Sequence, residues 1–522
     1  MKVVKSLLAL GIILSIVLCF PITGLPAPVL SFTYGEPPGM PVEDLLVFKE
    51  WQKRTGVSIK WNPVPSPTFG DKIQLLLGSG DVTDITLGPV AMLNSFGSEA
   101  LLPLDDLIDK YAPNIKKHLQ NYAKELPQIR AADGKLYVIL GRMEYMHQGW
   151  LYRKDLAKKL GFSESNLKTL EDWYKFLKAA KQSDPEIHGV GLYGNVLGLA
   201  FNLRGAFGIH GQLSDWLTVR GGKIVDGSIL PEARSVIETV RKWYTEGLVD
   251  PDMVKTVEDE QNQQKWLAGK SILAPCDYFG YADLTDVYRS THPGSDFEIA
   301  PIIPPQGPKG DQAKVYNFFG WGFFGYALGK NCKDPVAAIK FLDYIFSEEG
   351  AKLYFLGVEG ETFEVKDKEY RFTEKFVNLV KKAAKDEGRG VTEMLWKYYG
   401  IGYPFFTSYA TAPFPAKWAD IYVGVSVSKR VADGQKMTTP YVEEKIPTPV
   451  FTPEERKKLD TLLADIRTYR SETWTKMIIG QLPMSKWNDY VLQMKKLGIS
   501  EVENIYNTAY LRTYGKKPAL GK

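Results

Sequence analysis

Aromatic rings are the side chains in this sequence with the most chemistry to offer. Its 522 residues include 12 Trp, 28 Tyr and 25 Phe. A ring face can hold the apolar CH face of a sugar while a nearby Asp, Glu, Arg or Asn takes the hydroxyls. A few such polar groups in an aromatic cleft make a small-molecule site. Trp150, Tyr278, Trp321 and Trp396 stand at expected strand ends or beside Gly and Pro turns, where a cleft would put them. Each of these either stacks on a ligand or packs in a core. Trp474, Trp487 and Tyr490 fall in amphipathic helices, and Trp243 sits in Val240-Arg-Lys-Trp-Tyr244, so these four read as core. Arg142, Arg153 and Arg204 lie near expected strand ends. They could clamp a uronate carboxylate in bidentate fashion, or they are ordinary surface charges.

Other chemistries find little support. Gly320-Trp-Gly-Phe-Phe-Gly325 has the spacing of a dinucleotide-binding glycine loop. That loop works because its last glycine opens a helix whose amino end holds the pyrophosphate. Here the next helix opens nine residues later, at Asp334-Pro335, and bulky aromatics fill the gap. The segment makes better sense as a strand lining a cleft. No Gly-x-x-x-x-Gly-Lys-Ser/Thr loop occurs to cradle phosphate. His118, His147, His188, His210 and His292 are scattered, with no His-Glu-x-x-His and no Cys-x-x-Cys, so no zinc site is expected. No Gly-x-Ser-x-Gly elbow marks a serine hydrolase. Carboxylates are plentiful enough for a glycosidase pair, but nothing singles one out. The expectation is a protein that is not an enzyme and needs no cofactor.

These residues must be held by an α/β framework. An extended apolar run, 29–34, is followed by a helix over 42–55, a strand at 57–61, a short helix at 72–77 and a strand at 84–87. That alternation is the pattern of a parallel sheet with crossover helices. Ligands of such sheets sit beyond the carboxyl ends of the strands. Those ends are Tyr34-Gly35-Glu36 and Leu87-Gly88-Pro89, which nominates Tyr34, Glu36 and Gly88. A second α/β region has strands expected at 136–140, 149–152 and 298–303, with helices over 154–160, 170–181 and 231–246. Thr169 and Asp172 form a capping-box-like start to the second of these helices. The stretch 317–328 is strand-like, and Asp334-Pro335 opens another helix. Beyond Gly350 the chain is expected to be mainly helical, broken at prolines.

Composition narrows the class further. With 44% hydrophobic and 24% charged residues the chain is ordinary globular protein. A net charge of +4, with no long block of like charges, argues against nucleic acid as a partner. Lys2 and Lys5 precede an apolar run at 7–20 that is short for a transmembrane helix and fits a secretory signal peptide. Cys19 follows Ile16-Val17-Leu18, a loose likeness to a lipoprotein signal, so lipid attachment at Cys19 and plain secretion both stay open. Cys276 and Cys332 read as free and buried.

Several stretches together resemble one family. Leu77-Gly-Ser-Gly-Asp-Val-Thr-Asp-Ile85 and Leu102-Pro-Leu-Asp-Asp-Leu-Ile-Asp-Lys-Tyr111 resemble the amino-terminal signature of family 1 extracellular solute-binding proteins of ABC importers. Asp133-Gly-Lys-Leu-Tyr137, Trp150-Leu-Tyr-Arg-Lys-Asp-Leu-Ala-Lys-Lys-Leu-Gly161 and Leu167-Lys-Thr-Leu-Glu-Asp-Trp173 are similar to its hinge and second lobe. Asp334-Pro-Val-Ala-Ala-Ile-Lys-Phe-Leu-Asp-Tyr344, with Ser347-Glu-Glu-Gly350, is similar to its later lobe helix. The tail, Ile479-Gly-Gln-Leu-Pro-Met-Ser-Lys-Trp487 through Ile505-Tyr-Asn-Thr-Ala-Tyr510, resembles the long lipoprotein-type subset that includes alginate-oligosaccharide binders.

The resemblance implies an α/β, two-lobe periplasmic-binding-protein fold with a hinge and a helix-rich carboxyl-terminal extension. Residues 1–27 would be the signal peptide, 28–142 with 300–356 the amino-terminal lobe, and 143–299 with 357–522 the carboxyl-terminal lobe. Trp266-Leu-Ala-Gly-Lys-Ser-Ile-Leu-Ala-Pro-Cys-Asp-Tyr278 is similar to the family's strand that delivers cleft residues at its end, nominating Asp277 and Tyr278. The implied function is capture of a carbohydrate and its delivery to membrane permease subunits by a monomer, with a membrane touched only through a lipid anchor. A peptide carrier and a secreted polysaccharide hydrolase are the alternatives. One departure stands out. Alginate-binding relatives carry a calcium loop of alternating Asp and Asn after the helix corresponding to 170–181. Here that place reads Gln182-Ser-Asp-Pro-Glu-Ile-His-Gly189, too short and too poor in carboxylates for calcium.

Overall fold

Along Val29–Glu36 the fully buried Leu30, Phe32 and Tyr34 share one face of the strand, while the other carries Ser31 and Thr33, with Thr33 also buried, so the strand is covered on both faces. The computed structural model describes residues 27–520 apart from 37–40, 132, 144–147, 193, 212, 214–215, 258, 278–283, 317–319, 322–323, 388–390, 403–433 and 435. Numbered along the chain, the strands begin with β1 (Val29–Glu36), β2 (Ser58–Pro65), β3 (Ile85–Pro89), β4 (Arg142–Met143), β5 (Gln148–Arg153) and β6 (Gly189–Val190). They continue with β7 (Leu217–Arg220), β8 (Lys223–Asp226), β9 (Ser271–Asp277), β10 (Ile299–Ile302), β11 (Gly320–Trp321) and β12 (Phe324–Leu328).

Among the described residues the first sheet has the order β12-β3-β1-β2. β1 runs parallel to both neighbours, Phe32 facing Trp61 on one side and Ile85 on the other, while β12 is antiparallel to β3. The helices Leu46–Thr55 and Phe69–Ser79 make the expected crossovers. Helix Pro335–Ile345 is sewn to this body by Asp343, whose carboxylate accepts from the backbone of Asn114 and Ile115 at 2.8 and 2.9 Å and so caps helix Pro113–Asn121. The cap at Asp334 is as expected, its side chain accepting from Ala337 N at 2.9 Å.

The second sheet has the order β10-β5-β9-β6. Its central strand β5 pairs antiparallel with β9 and β10, which puts Trp150 between Pro275 and Ile302. The Thr169–Asp172 capping box forms as expected at the start of helix Leu170–Ser183. A long helix, Pro453–Ile478, opens with a second box, Thr452 with Glu455, and carries Trp474 into a cluster with Trp216, Trp487 and Tyr490.

The buried apolar residues fall into two clusters. One draws on 30–140 and 326–401, the other on 150–315 and 446–510. This division differs in two places from the expected one. Residues 300–315 stay with the second body because β10 is bonded to β5. The segment after Leu356 returns to the first body: the hairpin Phe363–Lys366 with Glu369–Phe372 leads to Phe376 and Tyr399, whose rings lie 4.9 Å apart, and these pack with the first cluster. The extension is therefore two additions, one to each body. Residues 136–140, expected to form a strand, are buried but make only an isolated bridge, Ile139 opposite Tyr326.

Two candidate site residues are core. The Trp150 ring is 1% exposed and meets Trp173 edge-on at 4.8 Å, because β5 is the middle strand of its sheet. The Tyr34 ring is wholly buried beside Trp61, at 5.7 Å, because β1 is covered on both faces. Trp150→Ala should therefore cost about 3–5 kcal/mol of folding free energy, measured by urea unfolding.

Candidate functional site

The two bodies are joined where the chain crosses from one buried cluster to the other. Among the described residues the chain passes between them three times, at 140–150, 315–326 and 401–446. The first two passages pair with each other: β4 and β11 form a two-residue antiparallel ladder with Gly320 opposite Met143 and Trp321 opposite Arg142. Three residues past Trp321, β12 starts at Phe324, opposite Pro89 at the carboxyl end of β3. The β1–β3 register, Phe32 with Ile85 and Thr33 with Thr86, carried forward brings Glu36 level with Pro89. From the other body, β5 starts at Gln148, opposite Asp277 at the end of β9. Glu36, Trp321, Arg142, Gln148 and Asp277 thus come from the ends of both sheets and from the ladder between them. The bodies also meet where helix Leu284–Thr291 lies against helix Glu374–Glu387.

At the sheet ends the polar groups are held from behind. The Tyr34 hydroxyl donates to Glu36 Oε2 at 3.5 Å and accepts from Val42 N at 3.3 Å, and the Ser66 hydroxyl donates to the Glu36 carbonyl at 2.8 Å. Burial raises the Tyr34 phenol well above its ordinary range, and neighbouring Glu36 adds to the shift, so this hydroxyl stays protonated. Tyr34 positions Glu36 and offers no face of its own. Gly88 sits tightly: a Cβ there would lie 3.2 Å from Ile73 Cγ2 and 3.4 Å from Leu93, so a side chain would press on those under the sheet end. Trp396, on helix Val391–Tyr399, is half-buried against the first core. Asp277 and Trp321 are placed by their strands, Tyr278 and Cys19 lie outside the described residues, and Cys332 is a half-buried free thiol.

The three arginines separate. Arg153 grips Asp155, with Nε–Oδ1 at 2.9 Å and Nη2–Oδ2 at 2.8 Å, and lies over the Phe297 ring at 4.1 Å. Burial opposes ionisation of Asp155, but the Arg153 hydrogen bonds outweigh it and hold the carboxyl below its usual range. Arg204 is buried in an ion pair with Glu443, donates to the Phe201 carbonyl at 2.6 Å and covers the Phe201 ring. Burial pushes the Glu443 carboxyl up and Arg204 opposes it. An arginine keeps its charge in a protein, so the pair is ionic. Only Arg142 of the three has a place at the passage, in register with Trp321.

Glu443 is a structural residue that sequence reasoning passed over, because Glu443-Glu444-Lys445 reads as solvated charge. It fixes the third passage to the second: Val315 N donates to Tyr441 O and Glu443 N to Val315 O, both at 2.9 Å, while Glu443 Oε1 accepts from Gly211 N at 3.0 Å. Among the described residues no group of three or more His, Cys, Asp or Glu is placed to hold a metal ion. No helix among them is long and apolar enough to cross a membrane.

Comparison with known proteins agrees with this architecture. The family model for bacterial extracellular solute-binding proteins matches residues 40–352. The fructooligosaccharide ABC transporter substrate-binding protein FusA of Streptococcus pneumoniae is 25% identical over 87% of this chain and 85% of its own. Lipoprotein LipO of Bacillus subtilis is 23% identical over 93% of this chain and 91% of its own. Among solved structures, the alginate-binding protein AlgQ2 without calcium ion superposes with a TM-score of 0.74 at 23% identity, over 93% of this chain and 98% of that one. FusA in complex with kestose gives 0.71 at 20% identity over 93% and 99%, and an EF-hand mutant of FusA gives 0.70. The fold is the two-lobe α/β periplasmic-binding-protein fold.

The Arg204–Glu443 pair can be tested directly. Glu443→Ala strands a guanidinium at 5% exposure and should destabilise the protein by about 3–5 kcal/mol. Replacing both partners together, Arg204→Met with Glu443→Leu, should cost much less in the same urea titration.

Proposed function

This chain belongs to the bacterial extracellular solute-binding proteins, and from that membership we propose that it is the solute-binding subunit of an ABC importer that captures an oligosaccharide between its two lobes. The observation that carries the proposal is the β4–β11 ladder, which sets Trp321 opposite Arg142 at the passage between two separately cored bodies. An aromatic beside a bidentate hydrogen-bond donor is the equipment for a sugar ring and its hydroxyls or carboxylates. Glu36 and Asp277 at the sheet ends add acceptors from each lobe. The relatives named for fructooligosaccharide and alginate support a carbohydrate as the solute.

Transport follows from the same geometry. Two lobes with independent cores, joined where the chain passes between them, can close on a ligand by changing a few backbone angles at the joints. The closed form would then be what the permease subunits recognise. The protein acts as a binder, so its sugar leaves unchanged. It works as a monomer outside the cytoplasmic membrane, with Cys19 as the attachment point if a lipid tethers it.

A thermal-shift screen of the mature protein against neutral oligosaccharides, uronate oligosaccharides and short peptides tests the proposal. A ligand present at a hundred times its dissociation constant adds about 2.7 kcal/mol, which raises the midpoint by several degrees. A rise with a sugar that is recovered intact supports the proposal. A rise with peptides alone, or a cleaved sugar, would overturn it.

Trp321→Ala should weaken binding of that sugar by about 1–3 kcal/mol, scaled from aromatic stacking on nucleobases, with the melting temperature of the ligand-free protein unchanged. Equal losses of affinity and stability would make Trp321 a core residue.

A further inference from the structure

Helix Leu170–Ser183 is followed by a reversal that brings two backbone carbonyls, those of Pro185 and Ile187, toward one point. Converging carbonyl dipoles need positive charge between them. The Lys181 ammonium occupies that point, donating to Pro185 O at 2.7 Å and to Ile187 O at 2.9 Å. Lys181 also lies in the last turn of the helix, where the partial negative charge of the helix end favours a cation. One side chain therefore serves both the helix terminus and the turn beyond it.

The donors around this point do not suit calcium, which takes six to eight oxygens at about 2.3–2.6 Å, usually with several carboxylates. The turn contains two acids. Asp184 turns its Oδ1 back to accept from Glu186 N at 2.9 Å, and Glu186 is exposed, 3.8 Å from Lys270. The acids of the adjoining loop are already matched: Lys265 Nζ lies 2.5 Å from Asp250 Oδ2 and 2.6 Å from Asp252 Oδ2. His188 faces the same group, its Nδ1 3.5 Å from Asp250 Oδ1, and burial lowers its affinity for a proton. A cavity of about 270 Å³ beside the turn is lined by Lys181, Glu186, His188 and Tyr244, so the ammonium borders a space open to solvent.

We propose that Lys181 is an internal cation whose ammonium holds this loop closed, so that the loop needs no calcium, the ion that the resemblance to alginate-binding proteins would lead one to expect at this place. The proposal rests on the family membership and is independent of which solute the cleft takes.

The test uses the full mature chain, melted in a chelator and in calcium chloride, with Lys181→Met and Lys181→Arg beside the wild type. The wild-type midpoint should be the same in both solutions. Lys181→Met should melt about 2–4 °C lower, a shift expected of one lost charged contact in a lobe of this size, and Lys181→Arg, which keeps the charge, should lose less. A wild-type midpoint that falls in chelator would overturn the proposal whatever the variants do. A Met variant as stable as the wild type would also overturn it, by showing that the ammonium holds nothing. If Lys181→Met does not fold, the chelator comparison and the Arg variant still decide.

Discussion

Two apolar clusters that share no residue must each be closed by the same chain, and the first two of its passages between them, at 140–150 and 315–326, are bonded to each other. That constraint sets the rest of the molecule. The two-residue ladder of β4 and β11 is where the first two passages meet. The strand ends carry polar candidates for a related reason, since a sheet covered on both faces can present polar groups unburied only at its margin.

Inside each lobe, buried carboxylates act as fasteners between segments far apart in sequence. Asp84 accepts from Ser31 through both its backbone nitrogen and its hydroxyl, at 2.8 and 2.6 Å, and from Lys333 N at 2.8 Å. It therefore ties β1, β3 and the start of the later helix together at one point. Burial opposes its charge, but these hydrogen bonds hold its carboxyl below the usual range. Asp343 and Glu443 do comparable work elsewhere. Each satisfies several backbone or cationic donors at once, the condition under which a buried charge is tolerable.

The first lobe was largely legible in the sequence because its elements are local: apolar runs make strands, and Gly or Pro ends them. The capping box at Thr169 and the cap at Asp334 were legible for the same reason. Trp150 was not, since an isolated Trp beside a glycine looks alike at a cleft and in a central strand. What separates the two is the pairing of β5 with β9 and β10, residues more than a hundred positions away. Arg204 and Glu443 hid for a similar reason, being 239 positions apart. Glu36 was legible from its strand end and Asp277 only through the resemblance of its strand to the family's, and the register of each sheet puts them at its margin.

The interleaving of the two cores also fixes an order of events during synthesis. Trp51 stacks on Tyr354 at 5.9 Å and meets Phe341 edge-on, so the first lobe lacks part of its interior until some three hundred further residues have been made. The second lobe waits in turn for Trp474 and Tyr490. The first lobe must wait for Ile401 and the second for Tyr510, so each closes only late in synthesis. For a chain that is threaded across a membrane before it folds, late closure is an asset, because long-range contacts are the slow ones to form. A topology that splits each core between distant segments thus makes closure of either lobe a late event.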